Sequence, residues 1–163
     1  MGKARWWLVG GVAVVVCYAG LMAVSAVVWD PMAAVPTMSY PQIVAELGDA
    51  GVSVPAAAIG VIAQCTFGIA LAVGVAVAGI SRWAGLWGAS AAMLLVIVLG
   101  APVYFMSGFG LGMDVADTFG TTGGDHTPVG GILYLVSATA LATLAALLIA
   151  RVFTARGDDL PVE

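Results

Sequence analysis

The chain has 163 residues, of which 62% are apolar and only 9% are charged, and its formal net charge at pH 7 is −4. Soluble domains carry about 45–50% apolar and roughly 25% charged side chains, so this composition excludes an ordinary soluble domain. The chain has only five lysine and arginine residues, too few for a basic patch, which excludes nucleic acid as a partner.

Four apolar stretches follow one another along the chain. Each is long enough to cross the roughly 30 Å hydrocarbon core of a bilayer as a helix. We predict membrane spans at Trp6–Trp29, Ala56–Ile80, Trp83–Phe105 and Pro128–Ala150. These spans leave too little chain for a separate soluble domain, so residues 1–163 are predicted to form a single all-α transmembrane domain.

The first span also has features of a secretory signal peptide. Lys3 and Arg5 precede its apolar run, and Val24-Ser25-Ala26 resembles a small-residue cleavage site. The apolar run before that site is about 20 residues, against roughly 7–15 in ordinary signal peptides. We therefore expect this segment to be retained as a true span.

The charged residues are sorted by side of the predicted spans. The five basic residues are Lys3, Arg5, Arg82, Arg151 and Arg156. The connections Asp30–Pro55 and Met106–Thr127 hold no basic residue and six of the nine acids. By the positive-inside rule, both termini are predicted to be cytoplasmic and these two loops to face outward, which gives an up-down-up-down four-helix bundle.

The first outer loop contains a helix signal of its own. Ser39 and Gln42 have the spacing of a capping box, in which each end residue satisfies the backbone of the other. Apolar residues from Ile43 to Leu47 then share one helical face. We predict a short amphipathic helix over Tyr40–Leu47, which lies on the outer membrane surface or covers the end of the bundle.

Small residues recur at four-residue spacing in the second and fourth spans. In lipid, such strips let helix backbones approach each other closely. The helix-packing or pore-lining candidates are Gly60, Gln64, Gly68, Ala138, Ala142 and Ala146. Packing within the bundle and contact with a second membrane protein are the two interpretations that stay open.

No Asp, Glu, Lys, Arg or His lies in the middle of any predicted span. Ion-coupled transporters need an ionisable group at that depth, so a secondary transporter acting alone is disfavoured. Gln64 is the most polar side chain at mid-membrane depth. We expect its amide to bond to a hydroxyl of the fourth span (Ser137, Thr139 or Thr143), or to line a polar pore in an oligomer.

The second outer loop holds the only histidine of the chain. Asp114, Asp117, Asp125 and His126 are the metal-binding candidates, because carboxylate oxygens suit hard cations and histidine suits zinc or copper. Their spacing matches no calcium or zinc motif, and solvated loop charges are the competing interpretation. The sequence contains no phosphate-binding, serine-hydrolase or zinc-protease motif, so it predicts no catalytic residue and no cofactor.

These features favour a non-catalytic multi-pass membrane protein, an assembly, accessory or scaffold subunit whose partners are the bilayer and other membrane subunits or further copies of itself. One alternative is a small oligomeric channel or carrier subunit for a small solute. Another is an outer-face metal-binding protein or membrane enzyme. Spans rich in alanine, valine and glycine with little lysine or asparagine indicate a GC-rich bacterial genome, and hence a bacterial plasma membrane.

Overall fold

The computed structural model describes residues 3–81, 83 and 85–158, with the side chains of residues 6–81, 83 and 85–154; Arg82 lies outside this part. All regular elements of the described part are helical: α1 (Lys3–Val24), a π-helical turn (Ser25–Trp29), α2 (Asp30–Ala34), α3 (Tyr40–Asp49), α4 (Val54–Ile80), α5 (Leu86–Phe119) and α6 (Pro128–Asp158). Four helical stretches are long and apolar enough to cross a membrane. The prediction of an all-helical membrane protein with four such helices is confirmed.

The first long helix does not end at Trp29, as predicted, but continues into α2. Pro31 explains how it continues. Proline has no N–H, and its ring would collide with the carbonyl four residues earlier in a regular α-helix. The N–H of Asp30 instead reaches the carbonyl of Ser25, five residues back, so the turn widens into a π-helix. Ser25 becomes fully buried in this turn.

Helix α5 is longer than predicted. The sequence places the end of the third span at Phe105, whereas α5 continues to Phe119 and takes in nearly two thirds of the predicted second outer loop. The prediction was misled by the repeated glycines of this segment, which disfavour helix in water by about 1 kcal/mol each. The helix ends at Gly120, whose φ of +67° is the left-handed conformation that glycine adopts easily.

The bundle is held by contacts between successive long helices. Helix α1 packs on α4, α4 on α5 and α5 on α6, while α1 also reaches α5 and α6. At the end where α1 begins, which we call the Leu8 end, Leu8 packs with Ala72, Ala89 and Met93. A Cβ added at Gly79 would lie 2.7 Å from both the Ala89 Cβ and the Leu8 Cδ1. The absence of a side chain at Gly79 therefore sets how closely three helices approach at this end.

Helix α3 covers the other end of the bundle, which we call the Asp30 end. The Gln42 side-chain oxygen accepts a hydrogen bond from the Ser39 N–H at 2.8 Å and helps the helix to begin there. Ile43 and Leu47 are buried from this helix and pack in a cluster with Leu111 of α5. The segment between α2 and α4 is thus fixed against the bundle.

The outward surfaces of the long helices are apolar. Phe67 is 66% exposed, Leu135 is 67% exposed and Phe153 is 68% exposed. Apolar area of this kind would be unfavourable in water but is as stable among lipid chains as inside a protein. This surface suits a multi-pass membrane protein.

Gly79→Ala is expected to destabilise the bundle by about 1–3 kcal/mol, because the added methyl group overpacks the Leu8 end. Gly60→Ala is the matched control. Gly60 lies in the same helix as Gly79, and a Cβ added at Gly60 would meet no atom within 4 Å. Thermal unfolding in detergent, followed by helical circular dichroism, measures both variants. Equal midpoints for the two variants would contradict the close contact at Gly79.

Candidate functional site

A network of polar side chains joins three parts of the chain at the Asp30 end. Asp30 Oδ1 accepts hydrogen bonds from the Thr127 N–H at 3.1 Å and from the Thr127 hydroxyl at 2.7 Å. Asp30 Oδ2 accepts from the Ser25 hydroxyl at 3.0 Å and from the Tyr104 hydroxyl at 3.3 Å. A carboxylate offers about four acceptor positions, so the hydrogen-bonding capacity of Asp30 is filled. With Asp125, these residues form what we call the Asp30 network.

Asp30 also acts as a cap for another helix. Thr127 directly precedes Pro128, where α6 begins. The first N–H groups of a helix have no partner within it, and the positive end of the helix dipole favours a nearby carboxylate. Asp30 therefore serves the beginning of α6 from the end of the first long helix, and its charge is stabilised there.

Tyr104 stands between two carboxylates. Its hydroxyl lies 3.3 Å from Asp30 Oδ2 and 3.2 Å from Asp125 Oδ1, and the side chain is only 1% exposed. One hydroxyl has one proton to donate, so it serves one carboxylate at a time. The Tyr104 hydroxyl therefore cannot donate to Asp30 and Asp125 at the same time.

The surroundings of Asp125 change its pKa in both directions. Burial raises the pKa of Asp125 above its ordinary value, and the negative charge of Asp30 raises it further. The hydrogen bond from Tyr104 and the neighbouring His126 act in the opposite direction and lower that pKa. Because the two raising effects prevail, Asp125 holds a proton more readily than an aspartate in water does.

A glycine in the first turn of α6 makes room for this arrangement. A Cβ at Gly130 would collide with the Asp125 carboxylate and would lie 2.9 Å from the Tyr104 hydroxyl. Gly130 itself is buried. The two polar side chains can therefore approach α6 only because residue 130 has no side chain.

A cavity of about 150 Å³ lies beside the network. Its wall combines acidic and aromatic side chains with glycines. The side chains that matter for its chemistry are Asp30, Phe105, Phe109, Asp125, His126 and Tyr134. The His126 Nε2 donates a hydrogen bond to the Thr122 carbonyl at 2.8 Å. Among the described residues no lysine or arginine lines this cavity, so its charge is negative or neutral.

The four predicted metal ligands are not gathered into one site. Asp114 and Asp117 lie near the end of α5, whereas Asp125 and His126 belong to the connection before α6. Only Asp125 and His126 line the cavity. In the described part of the chain, no three His, Cys, Asp or Glu side chains are placed to hold a metal ion. The metal hypothesis gains no ligand set from this arrangement.

The six helix-packing candidates lie mainly on the outside of the bundle. Gly60, Gln64, Ala138, Ala142 and Ala146 are exposed, and Gly68 is half-buried. A Cβ at Gly60 or Gly68 would meet no atom within 4 Å. Within this chain, close helix contacts form instead at other glycines, such as Gly79 and Gly100.

Gln64 bonds to α5 and not to α6. Its side-chain oxygen accepts a hydrogen bond from the Ser107 hydroxyl. The hydroxyls that were predicted to bond to the Gln64 amide have other partners. Ser137 donates to the Ile97 carbonyl at 2.9 Å, and Thr139 and Thr143 each donate to a carbonyl of their own helix at 2.8 Å. The prediction that Gln64 bonds to the fourth span is therefore wrong.

Sequence analysis did not find the Asp30 network. Asp30 looked like the first residue of a loop, and Tyr104 lay inside the predicted third span. The available signal was that Asp30, Tyr104 and Asp125 all stand at the same predicted end of apolar spans. Polar groups beside an apolar helix usually find partners in its bundle, and this rule would have suggested pairing them.

No protein-family model matches this chain, and neither a curated protein nor a solved structure does. The chemistry of the site must therefore be inferred from its own side chains. In the described part of the network there are carboxylates, hydroxyls and one phenol, without a thiol or an amine. Such a set can hold a proton or a positive charge.

Asp30→Ala is expected to lower the free energy of unfolding by about 2–4 kcal/mol, because each buried donor left without its acceptor costs about 1–3 kcal/mol. Asp117→Ala is the control, since Asp117 is an exposed carboxylate on α5. Denaturant unfolding in detergent compares them. If both variants unfold at the wild-type denaturant concentration, Asp30 does not hold the helices together.

Proposed function

We propose that the protein is a non-catalytic membrane subunit, an assembly, accessory or scaffold component that associates with copies of itself or with other membrane proteins. One observation carries this proposal. Ala138, Ala142 and Ala146 follow one another on α6 and are all exposed in the single chain. Small side chains permit close approach of a second helix, and none of the described residues covers this strip.

The Asp30 network supports a scaffold role. It joins Ser25 and Asp30 of the first long helix to Tyr104 of α5 and Thr127 at the beginning of α6. Side-chain bonds between helices in lipid are worth about 0.6–2 kcal/mol each, and several of them together fix the relative position of the helices. The exposed strip of α6 is therefore held at a defined orientation, as docking to another subunit requires.

A channel or carrier subunit is the alternative, and the described side chains favour it less. Such a path needs Gln64 and the threonines of α6 on one polar wall. Gln64 is instead paired with Ser107 of α5. Thr139 and Thr143 donate to carbonyls of their own helix, so their hydroxyls are already satisfied. Only an oligomer that brings these surfaces together would create the path.

We further propose that the four long helices thread a bacterial plasma membrane in up-down-up-down order, with both termini cytoplasmic and α3 outside. The sorting of all five basic residues to one side supports this topology. Near the end of α6, the Arg151 guanidinium lies 4.4 Å from the centre of the Trp87 ring near the beginning of α5. Arginine and tryptophan are both favoured at a membrane surface, where cation–π contact is possible.

The assembly proposal predicts that the protein migrates as a complex in blue-native electrophoresis of its own membranes. Ala142→Leu should weaken the complex about tenfold, because the larger side chain keeps a second helix away, at about 1.4 kcal/mol. Ala13→Leu is the matched control, an exposed alanine on α1. Migration of the wild type as a lone monomer would reject the proposal.

The topology proposal predicts that a reporter fused after Glu163 lies in the cytoplasm, because the basic residues near that end are retained on the cytoplasmic side. A reporter inserted between α3 and α4 should show the opposite behaviour. Alkaline phosphatase and a fluorescent protein, which are active on opposite sides of the membrane, provide the two measurements. Phosphatase activity from the fusion after Glu163 would contradict the topology.

A further inference from the structure

We propose that the cavity at the Asp30 end binds a small organic cation, an ammonium group, with Asp125 as its counter-ion. The rings of Phe105, Phe109 and Tyr134 form the aromatic part of this site. This inference is independent of the assembly proposal, because none of these side chains belongs to the alanine strip of α6.

The first argument is that Asp30 and Asp125 have different numbers of hydrogen-bond donors. Asp30 accepts four hydrogen bonds, two of them from Thr127 at the beginning of α6. Asp125 accepts one, from the Tyr104 hydroxyl that it shares with Asp30. Asp125 is also exposed, so a ligand can reach it, and a nearby positive charge stabilises its ionised form. Asp125 is thus the acidic group available to a ligand.

The aromatic wall indicates which kind of cation fits. Phe105 and Phe109 stand one helical turn apart on α5, with ring centres 5.6 Å apart, and Tyr134 of α6 also lines the cavity. Ring faces attract ammonium groups, most strongly where the cation is poorly hydrated. A metal ion would instead need several oxygen or nitrogen ligands. Among the described residues, no three His, Cys, Asp or Glu side chains are placed to supply them. The wall therefore favours an organic ammonium over a metal.

The size of the cavity limits the ligand. Its volume is about 150 Å³. Cavities of roughly this volume in other proteins admit a molecule of benzene size, about six heavy atoms. A tri- or tetramethylammonium group, or a short primary amine, has this size. Part of the wall is glycine, including Gly108 and Gly124, where an added Cβ would meet no atom within 4 Å.

The position of the cavity allows two sources of this group. It lies at the end of the membrane-crossing helices, and Phe105 and Phe109 are 54% and 50% exposed at its edge. An ammonium group can therefore arrive from water as a free amine, or from the bilayer as the headgroup of a zwitterionic lipid. The shared chemistry is the ammonium, and the two sources are separated by experiment.

The test uses the full chain in nanodiscs of phosphatidylglycerol, which carries no ammonium group. Titration with tetramethylammonium chloride, followed by calorimetry, should show saturable binding by the wild type. Asp125→Asn should weaken it at least tenfold, and Gly108→Val should do so by filling the cavity without changing charge. Asp117→Asn removes the same charge from an exposed site on α5 and should bind like the wild type.

The lipid source has its own measurement. In discs of mixed phosphatidylglycerol and phosphatidylcholine, native mass spectrometry should show wild-type protein retaining phosphatidylcholine in excess of its share, and Asp125→Asn losing that excess. Saturable tetramethylammonium binding without this retention assigns the site to free amines, and retention assigns it to the headgroup. The proposal would be overturned if the wild type showed neither saturable binding nor retention, or if Asp125→Asn and Gly108→Val bound tetramethylammonium as tightly as the wild type.

The pH dependence gives a further check. Ammonium binding needs Asp125 ionised, so affinity should fall as pH falls through the raised pKa of this carboxyl. The titratable groups that face it are Asp30 of α2, Tyr104 of α5, Tyr134 of α6 and His126 of its own connection. A protonated His126 also repels the cation, so this residue too would lower the affinity as pH falls. The His126→Gln variant removes that contribution and leaves the contribution of Asp125. Loss of the pH dependence in that variant would contradict Asp125 as the counter-ion.

Discussion

A half-buried carboxylate at the end of an apolar helix requires hydrogen-bond donors within the protein, because burying a charge without partners is costly. This requirement explains the Asp30 end of the bundle. Pro31 widens the preceding turn into a π-helix, which buries Ser25 as one donor to Asp30. Thr127 supplies two further donors, so the end of the first long helix is bonded to the beginning of α6. The same bonds satisfy the carboxylate and position the helix.

The two ends of the bundle are stabilised by different physics. At the Leu8 end, Gly79 brings three helices together through apolar contact. At the Asp30 end, Tyr104 has one proton for two carboxylates. Asp30 has further donors in Ser25 and Thr127, whereas Asp125 is exposed. The polar end is therefore where a ligand, a proton or a second protein can alter the energy of the bundle.

The four long helices could be predicted because a run of apolar residues long enough for a bilayer has few other outcomes in a chain of this composition. The length of α5 could not be, because the glycines of residues 108–112 mark loops in water yet are tolerated in an apolar bundle. The site was harder still. Asp30, Tyr104 and Thr127 are ordinary residues far apart in the sequence, and only packing makes them neighbours.

Helix α6 relates the two proposals. Tyr134, which lines the cavity, stands four residues before Ala138, and Ala142 and Ala146 follow at the same spacing. Residues four apart lie on one face of a helix. A helix docked along the alanine strip would therefore extend toward the Tyr134 wall of the cavity. The proposed cation site and the proposed assembly strip thus share one face of α6, with Tyr134 between them, and this arrangement is the basis on which binding and assembly can be linked.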